Sequence, residues 1–135
     1  MPRITGYLSP TLTVTDRDRS ADWYQALLDM DVRRENVGPD GSLRDICLVE
    51  PSTGLELCLV EYASALGEPF DEFRTGLDHL EFLVEKRTDL DEWVERLDSL
   101  GIAHSGVKEP SYTRNAIITF RDPDNIQLEF FWRAP

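Results

Sequence analysis

The sequence predicts an α+β fold built from two βαβββ modules. Three observations support this class: amphipathic helical segments, several short segments of strand character, and a recurrence of both along the chain. With 135 residues, 41% of them apolar, the chain is long enough for one buried core and too short for two ordinary domains. We therefore expect a single domain over residues 1–135, with modules at about residues 5–65 and 75–133.

Two segments have helical periodicity. Apolar residues recur at helical spacing over residues 20–30, and the acid-rich sequence TDRDRS before them can cap the start. A second apolar stripe covers residues 89–100, where Thr88 and Asp91 have the spacing of a capping box and Gly101 provides a stop. Each helix is expected to pack one face on a sheet.

The strands are predicted from their β-branched, aromatic and aliphatic residues and from the turns between them. The segments are LSPTLTV, LRDICLVE, GLELCLVEY, DHLEFLVE, RNAIITFR and IQLEFFWR, with a weaker one at VRREN. The turn sequences PDGS, PSTG and DPDN separate them. The last two strands should form a hairpin with its turn at residues 122–125.

Matching residues recur in the two halves of the chain. Ser9 precedes Trp23 by 14 residues, joining the front of a strand to the following helix. His79 precedes Trp93 by the same 14 residues. We expect the two tryptophans to occupy equivalent places in the core under the two modules.

The late strands extend this recurrence. Glu56 follows Ser9 by 47 residues, and Glu129 follows His79 by 50 residues. Each glutamate lies within a predicted strand, LELCLVE or IQLEFFW. Two βαβββ modules in one chain are the simplest explanation of the match.

Charge and composition limit the partners and the location. The chain has 14 Lys and Arg against 26 Asp and Glu, a formal net charge of -12 that would repel nucleic acid and anionic membranes. The acidity fits a solubilising surface, with a cationic ligand as the alternative. No signal peptide and no membrane-spanning run is recognisable, so we expect a cytoplasmic protein. Cys47 and Cys58 match no metal-site spacing and are expected to be reduced.

Three stretches of the sequence resemble the vicinal oxygen chelate superfamily, which contains glyoxalase I, bleomycin-resistance proteins, methylmalonyl-CoA epimerase and extradiol dioxygenases. The stretches are LTVTDRDRSADWYQALLDM, GLDHLEFLV and ITFRDPDNIQLEFF, and the resemblance runs from Leu8 to Phe131. It implies paired βαβββ modules that form an open curved sheet around a ligand cup. It is less specific for a reaction, because one fold hosts many chemistries.

The resemblance also implies a metal site. In metal-binding members of the family four inward strand positions hold the ion, and here they fall on Ser9, Glu56, His79 and Glu129. The imidazole and the two carboxylates suit divalent Zn, Ni, Mn or Fe. Ser9 departs from the pattern, because a neutral hydroxyl is a poor ligand where a histidine normally stands. The expected ligands are therefore Glu56, His79 and Glu129, and a cup without any metal is the alternative.

These residues also have simpler explanations. A strand histidine is often only hydrogen-bonded, and glutamates that alternate with apolar neighbours often face solvent. Residues two apart share a strand face, and two loops add further side chains to the expected pocket. The residues expected to contact a ligand are Ser9, Thr11, Thr13, Cys58, Glu81, Tyr112, Arg114 and Phe131. His104, in a loop with no partner spacing, is expected at the surface.

Two functions follow from this site. The first is a metal-dependent lyase or isomerase acting on a small oxygenated substrate, in which Glu56 or Glu129 moves a proton. The alternative is a metal-free binding protein that sequesters an aromatic or cationic small molecule. The resemblance implies a homodimer in which Ser9 and Glu56 of one chain meet His79 and Glu129 of the other, since a lone module leaves sheet edges exposed.

Overall fold

Each half of the chain folds into a unit with one helix and one sheet. The computed structural model describes residues 1–135, which divide into the units Met1–Glu68 and Pro69–Pro135. The predicted α+β class is confirmed: the first unit has an open sheet of four strands and the second an open sheet of three. Neither helix has the length and apolar character that crossing a membrane would require.

The first unit has the predicted βαβββ order. Its elements are β1 (Thr11–Thr13), α1 (Arg17–Leu28), β2 (Asp31–Val37), β3 (Leu43–Val49) and β4 (Glu56–Tyr62). The sheet order is β1-β4-β3-β2, with β1 parallel to β4 and the other pairs antiparallel. The weak segment VRREN thus belongs to a complete strand, which is exposed along its whole length.

Helix α1 starts earlier than its apolar periodicity predicts. Asp16 is the N-cap, and its side chain accepts a hydrogen bond from the backbone N of Arg19 at 3.0 Å. The helix buries Tyr24 and Leu27, which are 0% and 1% exposed. Trp23 is only half-buried, because its neighbour Tyr24 takes the place in the core that was expected for the tryptophan.

The second unit contains one strand fewer than predicted. Its elements are β5 (Leu80–Val84), α2 (Asp89–Ser99), β6 (Ala116–Arg121) and β7 (Gln127–Trp132), in the sheet order β5-β7-β6. After α2 the chain makes only two isolated bridges to β6, His104 with Phe120 and Lys108 with Ile117. Gly106, with φ 70°, lies between the bridges and turns the chain out of the extended conformation that a strand needs.

The start of α2 also differs from the prediction. Thr88 has helical backbone angles and its side chain makes no capping bond, so the predicted capping box is wrong. Asp89 instead accepts a hydrogen bond from the backbone N of Lys86 at 2.8 Å. A side chain can cap a helix only when its own backbone stands outside the helical region, and Thr88 does not meet this condition.

Helix α2 packs on the sheet of the second unit through aliphatic and aromatic side chains. Leu90 and Leu97 are completely buried, and Trp93 stacks on Phe130 of β7 with ring centroids 4.1 Å apart. Trp93 remains half-buried, as Trp23 does in the first unit. The two tryptophans therefore cover the edges of the two cores rather than fill them.

The hairpin predicted at residues 122–125 is confirmed. The backbone N of Asp122 donates to the carbonyl of Ile126, and the N of Asn125 donates to the carbonyl of Asp122, each at 3.0 Å. Asn125 has φ 67°, a left-handed angle that asparagine tolerates well. This tight turn fixes β7 antiparallel to β6.

The cysteines form a disulfide, so the prediction that both are reduced is wrong. Cys47 and Cys58 are direct partners on β3 and β4, with Cα atoms 4.0 Å apart. The backbone N of Cys58 donates to Pro10 on the β1 side, so this cross-strand pair is of the non-hydrogen-bonded kind. Side chains approach each other most closely in such pairs. The sequence separation of 11 residues does not reveal this register.

Candidate metal centre

Three side chains of the second unit meet on the sheet face that points away from α2. His79 directly precedes β5, and Glu81 is the second residue of that strand. Glu81 is the parallel partner of Glu129 on β7, so the two carboxylates stand side by side. One ligand atom from each of the three side chains lies within 4.8 Å of the others. The structure thus brings together two of the predicted ligands and one predicted contact residue.

The imidazole of His79 is held from both sides. Nε2 lies 2.8 Å from Oε1 of Glu81 and 3.8 Å from Oε2 of Glu129. Nδ1 lies 2.6 Å from Oδ1 of Asp78. Partial burial lowers the pKa of His79, but hydrogen bonds to Glu81 and Asp78 raise it, and the net direction is upward. Without a cation between them, these carboxylates favour the protonated ring.

Glu129 is a carboxylate in a largely buried position. Its side chain is 9% exposed, and its neighbours Leu128 and Phe130 fill the core on the other face of β7. Oε1 accepts a hydrogen bond from Gln127 at 3.2 Å, whereas Oε2 makes only the 3.8 Å approach to His79. A buried carboxylate requires a positive partner to offset the loss of its hydration. The donor set therefore fits a divalent cation.

The predicted ligands of the first unit have other partners. Oγ of Ser9 lies 3.6 Å from Sγ of Cys58. Glu56, whose side chain is 16% exposed, forms an ion pair with Arg33. Arg33 sits where the pairing of β2 with β3 shifts by one residue, and this irregularity directs its side chain across the sheet. Sequence periodicity does not reveal such a bulge, which is why this partner was missed.

The strand register changes the correspondence between the two units. Thr11 pairs with Cys58 in the first unit, and Glu81 pairs with Glu129 in the second. Thr11 lies two residues after Ser9, and Glu81 lies two residues after His79. The position that corresponds to Glu129 is therefore Cys58, and Glu56 lies two residues away from it along the strand.

The other predicted contact residues are spread over the two units. Thr11 and Thr13 are exposed on β1, and Phe131 is half-buried on the face of β7 that carries the cluster. Tyr112 is 89% exposed, and Arg114 donates a hydrogen bond to the carbonyl of Pro135. Neither Tyr112 nor Arg114 makes a hydrogen bond to the metal-ligand cluster.

His104 is not the surface residue that was expected. Its side chain is 11% exposed, Nε2 lies 2.9 Å from Oδ1 of Asp98, and Nδ1 accepts a hydrogen bond from the backbone N of Gly106 at 2.9 Å. An open cleft of about 320 Å³ lies beside it, lined by Ala103, His104, Ser105, Thr119, Phe120, Arg121 and Gln127. Because Gln127 also contacts Glu129, the cleft adjoins the cluster.

The chain is similar to several solved structures over almost its whole length. A glyoxylase/bleomycin resistance protein/dioxygenase domain from Frankia sp. EAN1pec is 37% identical, with 98% of this chain and 100% of that chain covered and a TM-score of 0.86. A glyoxalase family protein from Enterococcus faecalis is 23% identical, with coverages of 94% and 97% and a TM-score of 0.79.

A third similar structure contains a metal. The fosfomycin resistance protein FosX from Listeria monocytogenes, complexed with Mn(II) and a sulfate ion, is 21% identical, with coverages of 98% and 95% and a TM-score of 0.69. At this identity the likeness shows a shared fold. No curated protein matches the chain.

The family itself is shown by a match that covers both units. The model of the Glyoxalase/Bleomycin resistance protein/Dioxygenase superfamily matches residues 6–130. This match agrees with the order of strands and helices and with the likeness to the Frankia domain. The chain therefore belongs to the glyoxalase/bleomycin resistance protein/dioxygenase superfamily.

Proposed function

We propose that the protein is a metal-dependent lyase or isomerase that binds a small substrate through two neighbouring oxygen atoms. The observation that carries this proposal is the approach of the buried Glu129 carboxylate to Nε2 of His79 at 3.8 Å. An imidazole nitrogen and a carboxylate oxygen suit Zn, Ni, Mn or Fe. The Mn(II) complex of FosX supports manganese as the first metal to test.

Neighbouring residues prepare the two ligands. Asp78 accepts a hydrogen bond from Nδ1 of His79, so that Nε2 faces the carboxylates. Gln127 donates to Oε1 of Glu129 and thereby orients the other carboxylate oxygen toward the ring. A bound divalent ion would supply a Lewis acid that polarises the substrate oxygens.

Proton transfer requires a carboxylate that is free to accept. Glu56 is held by Arg33, whereas no Arg or Lys side chain pairs with Glu129: its Oε1 accepts from Gln127, and its Oε2 lies 3.8 Å from His79. We assign proton transfer during isomerisation or elimination to Oε1 of Glu129, because Oε2 is the oxygen that would hold the ion. The cleft beside Gln127 provides space for the rest of a small substrate.

Metal analysis and turnover test this function together. Protein purified without chelators or an affinity tag should carry a divalent metal, measured by inductively coupled plasma mass spectrometry. Addition of Mn(II) to chelator-treated protein should restore turnover of small substrates with adjacent oxygens, and His79→Ala should remove it while circular dichroism stays unchanged. Metal-free protein that also fails to bind added Mn(II) would contradict the proposal.

A metal-free binding protein is the second candidate. It is favoured by Ser9, whose hydroxyl lies against the disulfide sulfur of Cys58 rather than offering a histidine nitrogen, and by the net charge of -12. In this case an aromatic cation should bind in the presence of EDTA and change the tryptophan fluorescence. Binding of such a ligand only when Mn(II) is present would reject this candidate.

We also propose that the protein is a homodimer. The cytoplasmic location expected from the sequence remains a prediction. The strands β1 and β5 are sheet edges, each paired on one side only, and exposed edges favour association. Analytical ultracentrifugation at micromolar concentration tests this proposal, because a monomer would contradict it.

A further inference from the structure

We infer that Glu81 is the third protein ligand of the metal, so that His79, Glu81 and Glu129 hold the ion within the second unit. The inference rests on the proposed metal-dependent function and makes it more specific. It replaces Glu56 of the predicted ligand set with a residue that was expected only to contact substrate. It also removes the need for a ligand at Ser9.

Distances within the cluster support this assignment. Nε2 of His79 is 2.8 Å from Oε1 of Glu81 and 3.8 Å from Oε2 of Glu129. Donors bound to one zinc-like ion at about 2.0 to 2.2 Å stand about 3 to 4 Å from each other. Both distances from Nε2 thus lie near the spacing of donors around one ion, and all three donors lie within 4.8 Å of one another.

The strand register places Glu81 where a ligand is needed. It shares a face with His79 because the two residues are two positions apart, and it pairs directly with Glu129 on the neighbouring parallel strand. A single module therefore presents a nitrogen and two carboxylates toward one point. In the first unit the corresponding position is Thr11, which offers no carboxylate.

Charge provides a second and independent argument. Three carboxylates, those of Asp78, Glu81 and Glu129, surround one imidazole. Even with the ring protonated the cluster retains an excess of negative charge, and one of its carboxylates is largely buried. The same ring nitrogen lies 2.8 Å from Oε1 of Glu81 but 3.8 Å from Oε2 of the buried Glu129, which is too far for a hydrogen bond. A divalent cation among the three donors satisfies all of them.

Asp78 completes the arrangement as a positioning residue. Its carboxylate accepts a hydrogen bond from Nδ1–H of His79, which leaves Nε2 as the ring nitrogen that can coordinate the ion. Carboxylates in this place orient the ring and strengthen the ligand, and their loss typically costs about 10- to 100-fold in metal affinity. Asp78→Asn should therefore weaken binding without removing a ligand.

Mn(II) titration of the chelator-treated full chain tests the inference. Free Mn(II) is measured by electron paramagnetic resonance, and bound water by the proton relaxation enhancement of the complex. Glu81→Gln should weaken Mn(II) binding by at least about 10-fold, because losing a direct ligand costs no less than losing an outer partner. It should also raise the relaxation enhancement per bound ion, since a water molecule takes the vacated place.

The matched control is Glu85→Gln, which removes the same charge just beyond the end of β5 from an exposed side chain. It should leave the affinity within about twofold, because screened charges at a distance contribute little. Glu56→Gln should behave like this control.

The outcomes separate the inference from the proposed function. If Glu81→Gln binds Mn(II) like the wild type while His79→Ala does not, Glu81 is not a ligand and the metal-dependent function stands. If Glu56→Gln weakens binding as much as Glu81→Gln does, the site is not confined to the second unit, and this inference is wrong. If the wild type binds no Mn(II), both the inference and the proposed function are wrong.

Discussion

The two units share one arrangement of backbone and differ in what their matching positions carry. Each opens with a strand and a helix, and in each the first strand pairs in parallel with the last. In the first unit the matching positions hold Ser9 and Cys58, whose Oγ and Sγ atoms are 3.6 Å apart. In the second they hold His79 and Glu129, with Nε2 and Oε2 3.8 Å apart.

The difference shows how one scaffold can be used for two purposes. The first unit stabilises the sheet with a disulfide between β3 and β4, and its sulfur atoms are buried among apolar neighbours. The second unit buries the carboxylate of Glu129, whose loss of hydration is unfavourable unless a positive partner is present. The side chains that could hold a metal therefore lie together in the second unit, and a disulfide occupies the matching place in the first.

Shortening one buried leucine in each helix tests whether the two cores are equivalent and should give the largest change in the free energy of unfolding. Leu27 of α1 and Leu97 of α2 are 1% and 0% exposed. Leu27→Ala and Leu97→Ala should each lower the free energy of unfolding by about 2 to 5 kcal/mol, because each leaves a cavity. Urea titration followed by circular dichroism measures both. A cost well below 1 kcal/mol at either position would show that the helices pack differently.

Removing the imidazole of His79 tests which of the two units binds Mn(II). His79→Ala should weaken Mn(II) binding at least about 100-fold, which corresponds to roughly 2.7 kcal/mol at 25 °C. Ser9→Ala, at the matching position of the first unit, should leave the affinity within about twofold. Isothermal titration calorimetry measures both variants, and equal losses would mean that the units contribute alike.

Breaking the disulfide tests the structural role of the first unit. Reduction of Cys47 and Cys58 should lower the free energy of unfolding by about 2 to 3 kcal/mol, the range for a closed loop of this short length. Urea titration with and without a reductant measures the change. A Cys47→Ala/Cys58→Ala double variant should not respond to the reductant. Mn(II) affinity in the second unit should not respond to it either, and a large response would contradict the division of roles.

Protonating the carboxylates of one ion pair in each unit should give the smallest change in the free energy of unfolding. A hydrogen bond from Arg121 lowers the pKa of Glu72 in the second unit from 4.5 to about 2. The resulting stabilisation is complete above the unfolded-state value and is lost as the pH falls through about 2. A hydrogen bond from Arg44 likewise lowers the pKa of Asp18 in the first unit.

Carboxyl-detected NMR titration can follow both groups separately. Arg121→Gln should return the pKa of Glu72 toward its usual value and leave the titration of Asp18 unchanged. A shift of both carboxyl groups in this variant would show that the ion pairs of the two units are coupled.

Much of the fold could be predicted because its signals are local. Apolar periodicity identified both helices, and β-branched segments between turns identified every strand, including the weak β2. The hairpin at residues 122–125 followed from its turn residues alone. The sequence predicted four strands in the second module, and the absence of one of them after α2 was not foreseen. The repeat was inferred from four matching positions, and these do not reveal the local interruption at Gly106.

The candidate site could be predicted only in part. Period-2 alternation alone placed Glu81 on the face of His79, and the family resemblance assigned His79 and Glu129 as ligands. The contact between Asp78 and His79 was missed, because a neighbour in sequence normally points to the other face of a strand. Only the folded backbone shows that its carboxylate reaches Nδ1 at 2.6 Å.

By itself, the sequence determined the α+β class, the paired modules and the presence of a histidine with nearby carboxylates. Only the tertiary structure decided which side chains meet: Glu81 beside Glu129, Cys47 bonded to Cys58, and Arg33 on Glu56. The physical reason is that a local pattern specifies the face on which a side chain lies, whereas the register between strands that are distant in the chain is set by packing and hydrogen bonding of the whole sheet.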